Sequence, residues 1–159
     1  MLSNDLYERV KAKLIDEEGY REEIYKCTQG YNTVGVGHNL DANPLPINVL
    51  ELLFRGKRAV ALDELFKYDI QKVIHQLDIS FSWWRDKEDD IKIFMIDFVF
   101  NVGIGTAREF KNTMRYIEQN RYKKASKGLM NSLYAKQVPN RAERNAKLIA
   151  NAKKSHEVL

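Results

Sequence analysis

At 159 residues, with 44% hydrophobic and 30% charged residues, the chain has the size and composition of one globular domain, which excludes an intrinsically disordered protein. A single cysteine, Cys27, excludes an intramolecular disulfide, so the fold must be stabilised by its apolar core. The net charge of +4 is uneven, because residues 1–80 carry 10 basic and 13 acidic side chains whereas residues 81–159 carry 16 and 9. The basic second half indicates an anionic partner, or only a solvated, lysine-rich helical surface.

The N-terminal segment predicts a helix that ends at Gly19. Ser3 or Asn4 can cap its first turn, and a glycine can end it in the left-handed conformation. Charged side chains occur throughout the first twenty positions and leave no apolar stretch for a secretion signal or an anchor. We therefore expect synthesis in the cytoplasm and no stable insertion into a membrane. Three apolar residues recur at helical spacing and predict the buried face: Leu6, Val10 and Leu14.

Residues 24–38 have a different pattern, in which aromatic and β-branched residues surround a turn at 28–30. This predicts a small β-hairpin or a three-strand meander. After two prolines, residues 47–54 and 59–77 show helical periodicity, and the rest of the chain is predicted to be helical. Segments 106–109 and 140–143 match the capping-box pattern, which predicts a helix start at each. The sequence therefore predicts an α+β fold with a small β element and a helical bundle.

Three acidic residues, Asp16, Glu17 and Glu18, crowd the end of the first predicted helix. The helix dipole and mutual repulsion both disfavour negative charge there, so the pKa of at least one of these carboxyl groups should rise. A carboxyl group with a raised pKa can act as a general acid near neutral pH. The alternative is an ordinary solvated acidic helix end, and this feature alone does not decide between the two.

A second candidate feature is segment 27–38, Cys-Thr-Gln-Gly-Tyr-Asn-Thr-Val-Gly-Val-Gly-His. Each residue has an ordinary structural explanation, since lone cysteines are usually buried, Thr33 suits a strand, and glycines in a strand often mark a bulge. A dinucleotide-binding loop is excluded because Leu40 stands where a third glycine is needed and no helix follows directly. A cysteine protease with His38 or His75 as the base has no supporting spacing.

The spacing of Glu18, Cys27 and Thr33, which runs into Thr-Val-Gly-Val-Gly-His, resembles the active-site signature of the phage lysozymes, typified by the T-even phage enzyme. Downstream, Val-Phe-Asn-Val-Gly at 99–103 and Pro-Asn-Arg-Ala at 139–142 resemble the helical lobe of that family. The likeness spans roughly residues 5–150. Two distant motifs in the same order argue against a chance similarity.

The resemblance implies a lysozyme-like α+β fold with an active-site cleft between two lobes. It implies a β-containing lobe at about 15–58, an interlobe helix at about 59–77, and a helical lobe at about 78–159 that includes the N-terminal helix. We expect a single domain that acts as a monomer and uses no cofactor and no metal ion.

The resemblance also assigns roles. It implies that Glu18 protonates the glycosidic oxygen while Cys27 and Thr33 hold water on the opposite face of the sugar, which inverts the anomeric centre. Arg141 matches the arginine that pairs with the catalytic glutamate, and an arginine near a helix start, unfavourable against the dipole, also suggests an external partner. The T-even enzyme has an aspartate in place of Cys27. Because Glu18 would oppose ionisation of a nearby thiol, we expect a mostly neutral Cys27 that alkylates slowly.

Further matches concern the substrate and the fold. The resemblance makes His38 and Asp69 a structural ion pair. A glycine lets a sugar approach the backbone closely, and an aromatic and a hydroxyl side chain complete the family's glycan contacts across the cleft. These expected substrate-binding residues are Gly37, Phe100 and Thr113.

The implied function is that of an endolysin, which hydrolyses the β-1,4 bond between N-acetylmuramic acid and N-acetylglucosamine in bacterial peptidoglycan during host cell lysis. Without an export signal, the family pattern implies that the enzyme reaches the cell wall through a separately encoded membrane pore. Two alternatives are a lytic transglycosylase, which would use the same acid but no hydrolytic water, and a non-catalytic peptidoglycan-binding homologue. Nucleic-acid binding is not expected, because the basic half lacks a recognised binding motif.

Overall fold

A short antiparallel sheet and a series of α-helices make up residues 1–152, the part of the chain that this computed structural model describes. The predicted α+β class is confirmed, and none of the helices described is long and apolar enough to cross a membrane. The strands are β1 (Arg21–Lys26), β2 (Asn32–Gly35) and β3 (His38–Asn39). The helices, with a 3₁₀ turn at Trp84–Asp86, are α1 (Asn4–Glu18), α2 (Ile47–Phe54), α3 (Arg58–Ser80), α4 (Asp89–Val102), α5 (Ile104–Glu109), α6 (Lys111–Glu118), α7 (Tyr122–Met130), α8 (Leu133–Gln137) and α9 (Pro139–Asn151).

The chain divides into two compact units. The first comprises Tyr7–Lys72 together with Met1, and the second comprises Leu2–Leu6 together with the residues from Val73 onward. The predicted lobe boundaries near residues 58 and 77 stay a prediction. Residues 153–159 of the predicted helical lobe lie outside the described residues.

Helix α1 has the two ends that the sequence predicted. The Leu6 backbone N–H donates a hydrogen bond to Ser3 Oγ at 3.2 Å, which caps the first turn. Gly19 follows the last turn with φ of 77°, and its N–H donates to the Ile15 carbonyl at 2.8 Å. Glu18 is therefore held at the end of a well-terminated helix. The predicted apolar face is at most 3% exposed: Leu6, Val10 and Leu14.

The three strands form one sheet in the order β1-β2-β3, with both pairs antiparallel. Tyr25 lies opposite Thr33, and Val34 lies opposite His38. Because successive residues of a strand point to opposite sides of a sheet, Tyr25 and Thr33 share one face while Val34 points to the other. Gly37, in the tight connection between β2 and β3, has φ of 64°, a left-handed conformation that favours glycine.

The core of the first unit lies on the Val34 face of the sheet, against α2 and α3. Its central residues are Val34, Val49, Ala61, Leu62 and Leu65, none more than 7% exposed. Four partly buried leucines pack against them: Leu40, Leu45, Leu52 and Leu53. Helix α2 has the predicted bounds of 47–54, and α3 extends the predicted 59–77 at both ends. The two helices thus pack on the Val34 face of the sheet.

His38 joins β3 to α3 through an ion pair in which the His38 side chain is 3% exposed and the Asp69 side chain 15% exposed. Its Nδ1 lies 2.8 Å from Asp69 Oδ2, and its Nε2 lies 3.0 Å from the Asn43 carbonyl oxygen. Because both neighbours can accept hydrogen bonds, they favour the protonated imidazolium, in which both ring nitrogens donate. Burial lowers the pKa of His38, but the hydrogen bond and negative charge of Asp69 outweigh it and hold that pKa above its ordinary value. The predicted structural pair is confirmed.

Helix α4 contributes the central apolar surface of the second unit. The Phe98 ring contacts the rings of Phe94, Phe110 and Tyr134, with centroids 5.0–5.3 Å apart. Asp97, the neighbour of Phe98, is only 1% exposed, so a charged residue lies inside this apolar helix. Further residues of α4 with no more than 4% exposure are Ile91, Ile93, Met95, Ile96 and Val99.

A helix begins close to each predicted capping box, as expected, but neither box forms a side-chain cap. Helix α5 begins at Ile104, so Thr106 lies inside it, and α9 begins at Pro139, so Asn140 lies in its first turn. Gly103, with φ of 82°, precedes α5, and the fixed φ of a proline starts α9.

Replacing Asp69 by Asn should lower the free energy of unfolding by about 3 kcal/mol near pH 5.5, because the buried imidazolium then loses its counter-ion. The raised pKa of His38 sets the sign of the pH dependence. The pair stabilises fully below the unfolded-state pKa of about 6.5, and this contribution is lost as the pH rises through the folded-state value. Urea unfolding at several pH values measures the difference, which should shrink as the pH rises.

Asp63→Asn is the matched control, because Asp63 pairs with Lys11 at 2.7 Å but is 45% exposed. It should change stability by less than about 1 kcal/mol. A penalty for Asp69→Asn that stays constant between about pH 5 and pH 10 would contradict a charged His38.

Candidate active site

The seven predicted site residues are divided between the two units. Those in the first unit are Glu18, Cys27, Thr33 and Gly37. Those in the second are Phe100, Thr113 and Arg141. The expectation that the two sets face each other across a cleft stays a prediction.

Glu18 lies directly against Gly37. A Cβ atom added at Gly37 would be 3.1 Å from both Cβ and Oε2 of Glu18. The missing side chain therefore leaves the space that the glutamate occupies, and the positive φ of Gly37 reinforces the requirement for glycine. The neighbouring Glu17 has a different role, since its carboxylate pairs with Lys13 at 3.4 Å on the preceding turn. Of the acidic cluster, Glu18 is thus the member packed against the β2–β3 connection.

Cys27 opens the turn that joins β1 to β2. Its backbone N–H donates to the Tyr31 carbonyl at 3.0 Å, and the Gly30 N–H donates to the Cys27 carbonyl at 2.8 Å, which closes the turn. The Thr33 hydroxyl donates to the same Tyr31 carbonyl at 3.0 Å. Thr33 is only 3% exposed whereas Cys27 is partly exposed, so the turn holds a fixed hydroxyl beside an accessible thiol.

The turn lowers the pKa of the Cys27 thiol. The main cause is the backbone N–H of Tyr31, which hydrogen-bonds the sulfur, and desolvation acts against it. Two further N–H groups of the turn and the Thr33 hydroxyl also lower the pKa. We expected the charge of Glu18 to oppose ionisation of the Cys27 thiol, but the pKa of that thiol is lowered overall. Because a hydroxyl has one proton to donate, a thiolate would draw the Thr33 proton from the Tyr31 carbonyl towards the sulfur.

Tyr25 is a site residue that the sequence analysis missed. It shares a sheet face with Thr33, and the Arg21 guanidinium lies 4.6 Å from the centre of its ring. Burial raises the pKa of Tyr25, Arg21 lowers it, and the charges of Glu18 and Cys27 raise it again. The phenol is therefore within electrostatic range of both groups. A signal was present, because residues two apart in a strand share a face and Tyr25 precedes Cys27 by two.

Arg141, in α9, is buried and forms an ion pair with Asp97 in α4. Its Nη2 lies 2.9 Å from Asp97 Oδ1 and its Nε 3.2 Å from Oδ2, a bidentate arrangement that fixes the plane of the guanidinium. Asn145 Nδ2 donates to Asp97 at 2.8 Å and to the Tyr134 hydroxyl at 3.1 Å. The predicted pair of Arg141 with Glu18 stays a prediction.

Asp97 and Asn145 were also missed. The signal for Asp97 was a single acid within the apolar run 93–100, since a buried carboxylate requires a charged or hydrogen-bonding partner. Asn145 gave no such signal, because its role depends on the helix packing of the second unit, where α9 contacts α4 and α8.

The two remaining predicted residues occupy different environments. Phe100 is partly buried near the end of α4. Thr113 is only 4% exposed, and its Oγ1 lies 3.2 Å from the position that a Cβ of Gly128 would occupy. The glycine thus lets α7 lie close to α6, and Thr113 contributes to that packing. Glycan contacts by Phe100 and Thr113 stay a prediction.

The first-unit site offers a carboxyl group, a thiol with a lowered pKa, a hydroxyl and a phenol, supplied by Glu18, Cys27, Thr33 and Tyr25. A carboxyl group can donate a proton, and a thiol beside a hydroxyl can orient a water molecule. Among residues 1–152, no group of three or more histidine, cysteine, aspartate or glutamate side chains is arranged to hold a metal ion.

The chain matches the family described as phage lysozyme over residues 15–147, a range that includes all seven predicted site residues. It is 26% identical over 152 residues to "Probable T4-type lysozyme 1" and 27% identical over 153 residues to "Probable T4-type lysozyme 2", both of Dictyostelium discoideum; each match covers 85% of this chain and 89% of the relative. It is 28% identical over 151 residues to "Peptidoglycan hydrolase gp36" of Pseudomonas phage phiKMV, which covers 94% of this chain and 16% of that protein.

Alkylation of Cys27 should show the effect of its turn. The rate with iodoacetamide should reach half of its maximum at a lower pH than for a cysteine in an unstructured peptide, because the N–H groups and Thr33 lower the thiol pKa. Thr33→Val removes one of these donors with little change in volume and should move the profile upward. A rate profile that is unchanged by Thr33→Val, with the fold verified by circular dichroism, would show that the hydroxyl does not act on the sulfur.

Proposed function

This chain belongs to the phage lysozyme family, and from that premise we propose that it is a muramidase that hydrolyses the β-1,4 bond between N-acetylmuramic acid and N-acetylglucosamine in bacterial peptidoglycan. Membership of this family supports a glycosidase-type enzyme, and the printed name of the phage relative, a peptidoglycan hydrolase, supports the substrate. The observation that carries the proposal is the carboxyl group of Glu18 packed on Gly37, in the same unit as the Cys27 and Thr33 pair.

In the proposed mechanism, Glu18 is the general acid. Its proton passes to the glycosidic oxygen as the bond to the anomeric carbon breaks, so the leaving sugar departs as an alcohol and an oxocarbenium-like centre develops. Water, oriented by Cys27 and Thr33, attacks that carbon from the opposite face and releases its proton to the sulfur or to solvent. The product is a reducing sugar of inverted configuration, and Glu18 regains a proton from solvent.

The turn around Cys27 is consistent with a catalytic role for this cysteine, although the T-even enzyme has an aspartate at the corresponding position. Backbone N–H groups and the Thr33 hydroxyl favour a negative sulfur, as they would favour a carboxylate. A thiolate there would oppose the positive charge that develops on the sugar, and a neutral thiol would still orient water.

The remaining roles belong to the same proposal. We assign glycan contacts to Gly37, Phe100 and Thr113 and a supporting role to Arg141, whose guanidinium orientation depends on Asp97. The biological setting that we propose is lysis of a bacterial host, by an enzyme that reaches the cell wall after release.

Glu18→Gln should reduce peptidoglycan cleavage by about a hundredfold or more while the fold persists, because the amide keeps the size of the side chain but has no transferable proton. Glu17→Gln is the matched control, since it changes the adjacent acid that pairs with Lys13, and it should retain most of the activity. Release of reducing ends from purified peptidoglycan gives the rates. Comparable losses in both variants, or near-normal turnover by Glu18→Gln, would remove Glu18 from the role.

The products test the reaction class. Reducing-end muramic acid of inverted configuration is expected in the muropeptides. Anhydro-muramic acid would instead assign a lytic transglycosylase, and saturable binding with no product would assign a binding module.

Cys27→Asp should remain active, because the turn donors accommodate a carboxylate and the charge suits the transition state. Cys27→Ala should lose at least about tenfold, since it removes the group that orients water. Thr28→Ala, at the exposed neighbour in the turn, is the control and should have little effect. An alanine variant as fast as the original, together with an alkylated protein that still cleaves, would exclude Cys27 from the reaction.

A further inference from the structure

The first unit contains a cavity of about 220 Å³ on the side of the sheet away from Tyr25 and Thr33. Ile24 and Val34 of the sheet form one wall, while Val49 and Leu53 of α2 and Leu62 of α3 form the other. Two leucines of the intervening loop complete the lining. Because Val34 and Thr33 point to opposite faces, this cavity is separate from the proposed hydrolytic site.

The inner walls of the cavity are aliphatic, whereas its charged lining residues, Glu22, Glu23 and Arg58, are exposed to solvent. Water held there lacks the two to four polar partners that an ordered buried water needs. Apolar cavities of about 150 Å³ stay dry and take up benzene, so the present volume suffices for a short hydrocarbon. Access is open on one side, where Ile24 is 65% exposed. Several of the lining leucines are only partly buried, so a bound hydrocarbon would complete the core of the unit.

The opening carries a net negative charge. Three charged side chains surround it, Glu22, Glu23 and Arg58, and the Arg58 guanidinium is already paired with Glu23. Glu22 accepts only a long hydrogen bond of 3.3 Å from Tyr20 among the contacts described, and it is exposed to solvent. A cationic ligand is thus attracted by a carboxylate at the edge of the apolar cavity. An anionic ligand is repelled by two carboxylates, and the arginine beside them is already in an ion pair.

We propose that this cavity binds a single-chain amphiphile with an ammonium head group, the alkyl chain lying between the sheet and α2 and the ammonium beside Glu22. Transfer of the alkyl chain from water into the cavity is favourable, and the head group stays at the surface, where its charge remains solvated. The site is independent of peptidoglycan hydrolysis, so its failure and that of the proposed function are distinguishable.

The test is a titration of the full chain with octylammonium chloride and, separately, octyl sulfate, each below its micelle concentration. Methyl NMR signals of Val34, Val49 and Leu53 report on occupancy. Octylammonium should give saturable shifts at these methyl groups, with an affinity about tenfold higher than that of octyl sulfate. Affinity should rise about fourfold for each methylene added from butylammonium upward until the chain outgrows the cavity. Absence of saturable shifts, or equal affinity for the two head groups, would overturn the proposal.

Variants of the protein distinguish the contribution of the alkyl chain of the ligand to its affinity from that of the ammonium head group. Glu22→Gln, at an exposed position, should weaken octylammonium binding about threefold and reduce the preference over octyl sulfate. Glu51→Gln, an exposed acid of α2 outside the cavity lining, should leave both affinities unchanged. Leu53→Phe should fill the cavity and abolish the shifts at Val34. If Leu53→Phe does not fold, Glu22→Gln decides, and equal affinities for the original protein and Glu22→Gln would overturn the head-group assignment. Peptidoglycan hydrolysis by Glu22→Gln should be unchanged.

Discussion

A charge that is removed from water must be paired, and this protein meets that requirement in both of its units. In the first unit, His38 lies between Asp69 and a carbonyl, both of which favour its protonated form, and these contacts fix β3 against α3. Gly37 immediately precedes His38, so the same pair also fixes the backbone on which Glu18 rests. In the second unit, a bidentate carboxylate–guanidinium pair connects α4 with α9. The orientation of the acid and of the arginine thus depends on buried electrostatics as much as on apolar packing.

The turn at residues 27–31 shows how a backbone can set the chemistry of a side chain. Its N–H groups lower the pKa of the Cys27 thiol and so favour a negative charge on the sulfur. Cysteine and aspartate differ in size and ordinary pKa, yet each can carry a negative charge that such donors favour.

The sequence was most informative where a periodic pattern and a terminating residue coincided. Helix α2 has its predicted bounds, and α1 ends before Gly19, because apolar spacing and turn residues are local signals. The caps at 106–109 and 140–143 did not form because both helices begin earlier, one after Gly103 and the other at Pro139, so the side-chain pattern alone did not locate the first turn. The lowering of the Cys27 thiol pKa was not predicted, because only the charge of Glu18 was considered, whereas the N–H groups that cause it are brought near the sulfur only when the turn folds. Asp97 was missed for a related reason, since its partners lie more than forty residues away.

Cys27 combines a partly exposed sulfur, a lowered thiol pKa and the absence of any other cysteine in the chain. An oxidant that converts this thiol to a sulfenic acid therefore meets no resolving thiol in the same molecule, and the internal disulfide that commonly traps such a group cannot form. Reversal depends on a small thiol supplied from outside, while continued oxidation gives a sulfinic acid that ordinary thiols do not reduce. How long the Cys27 thiol stays reduced therefore depends on the redox state of its surroundings and not on a second cysteine in the chain.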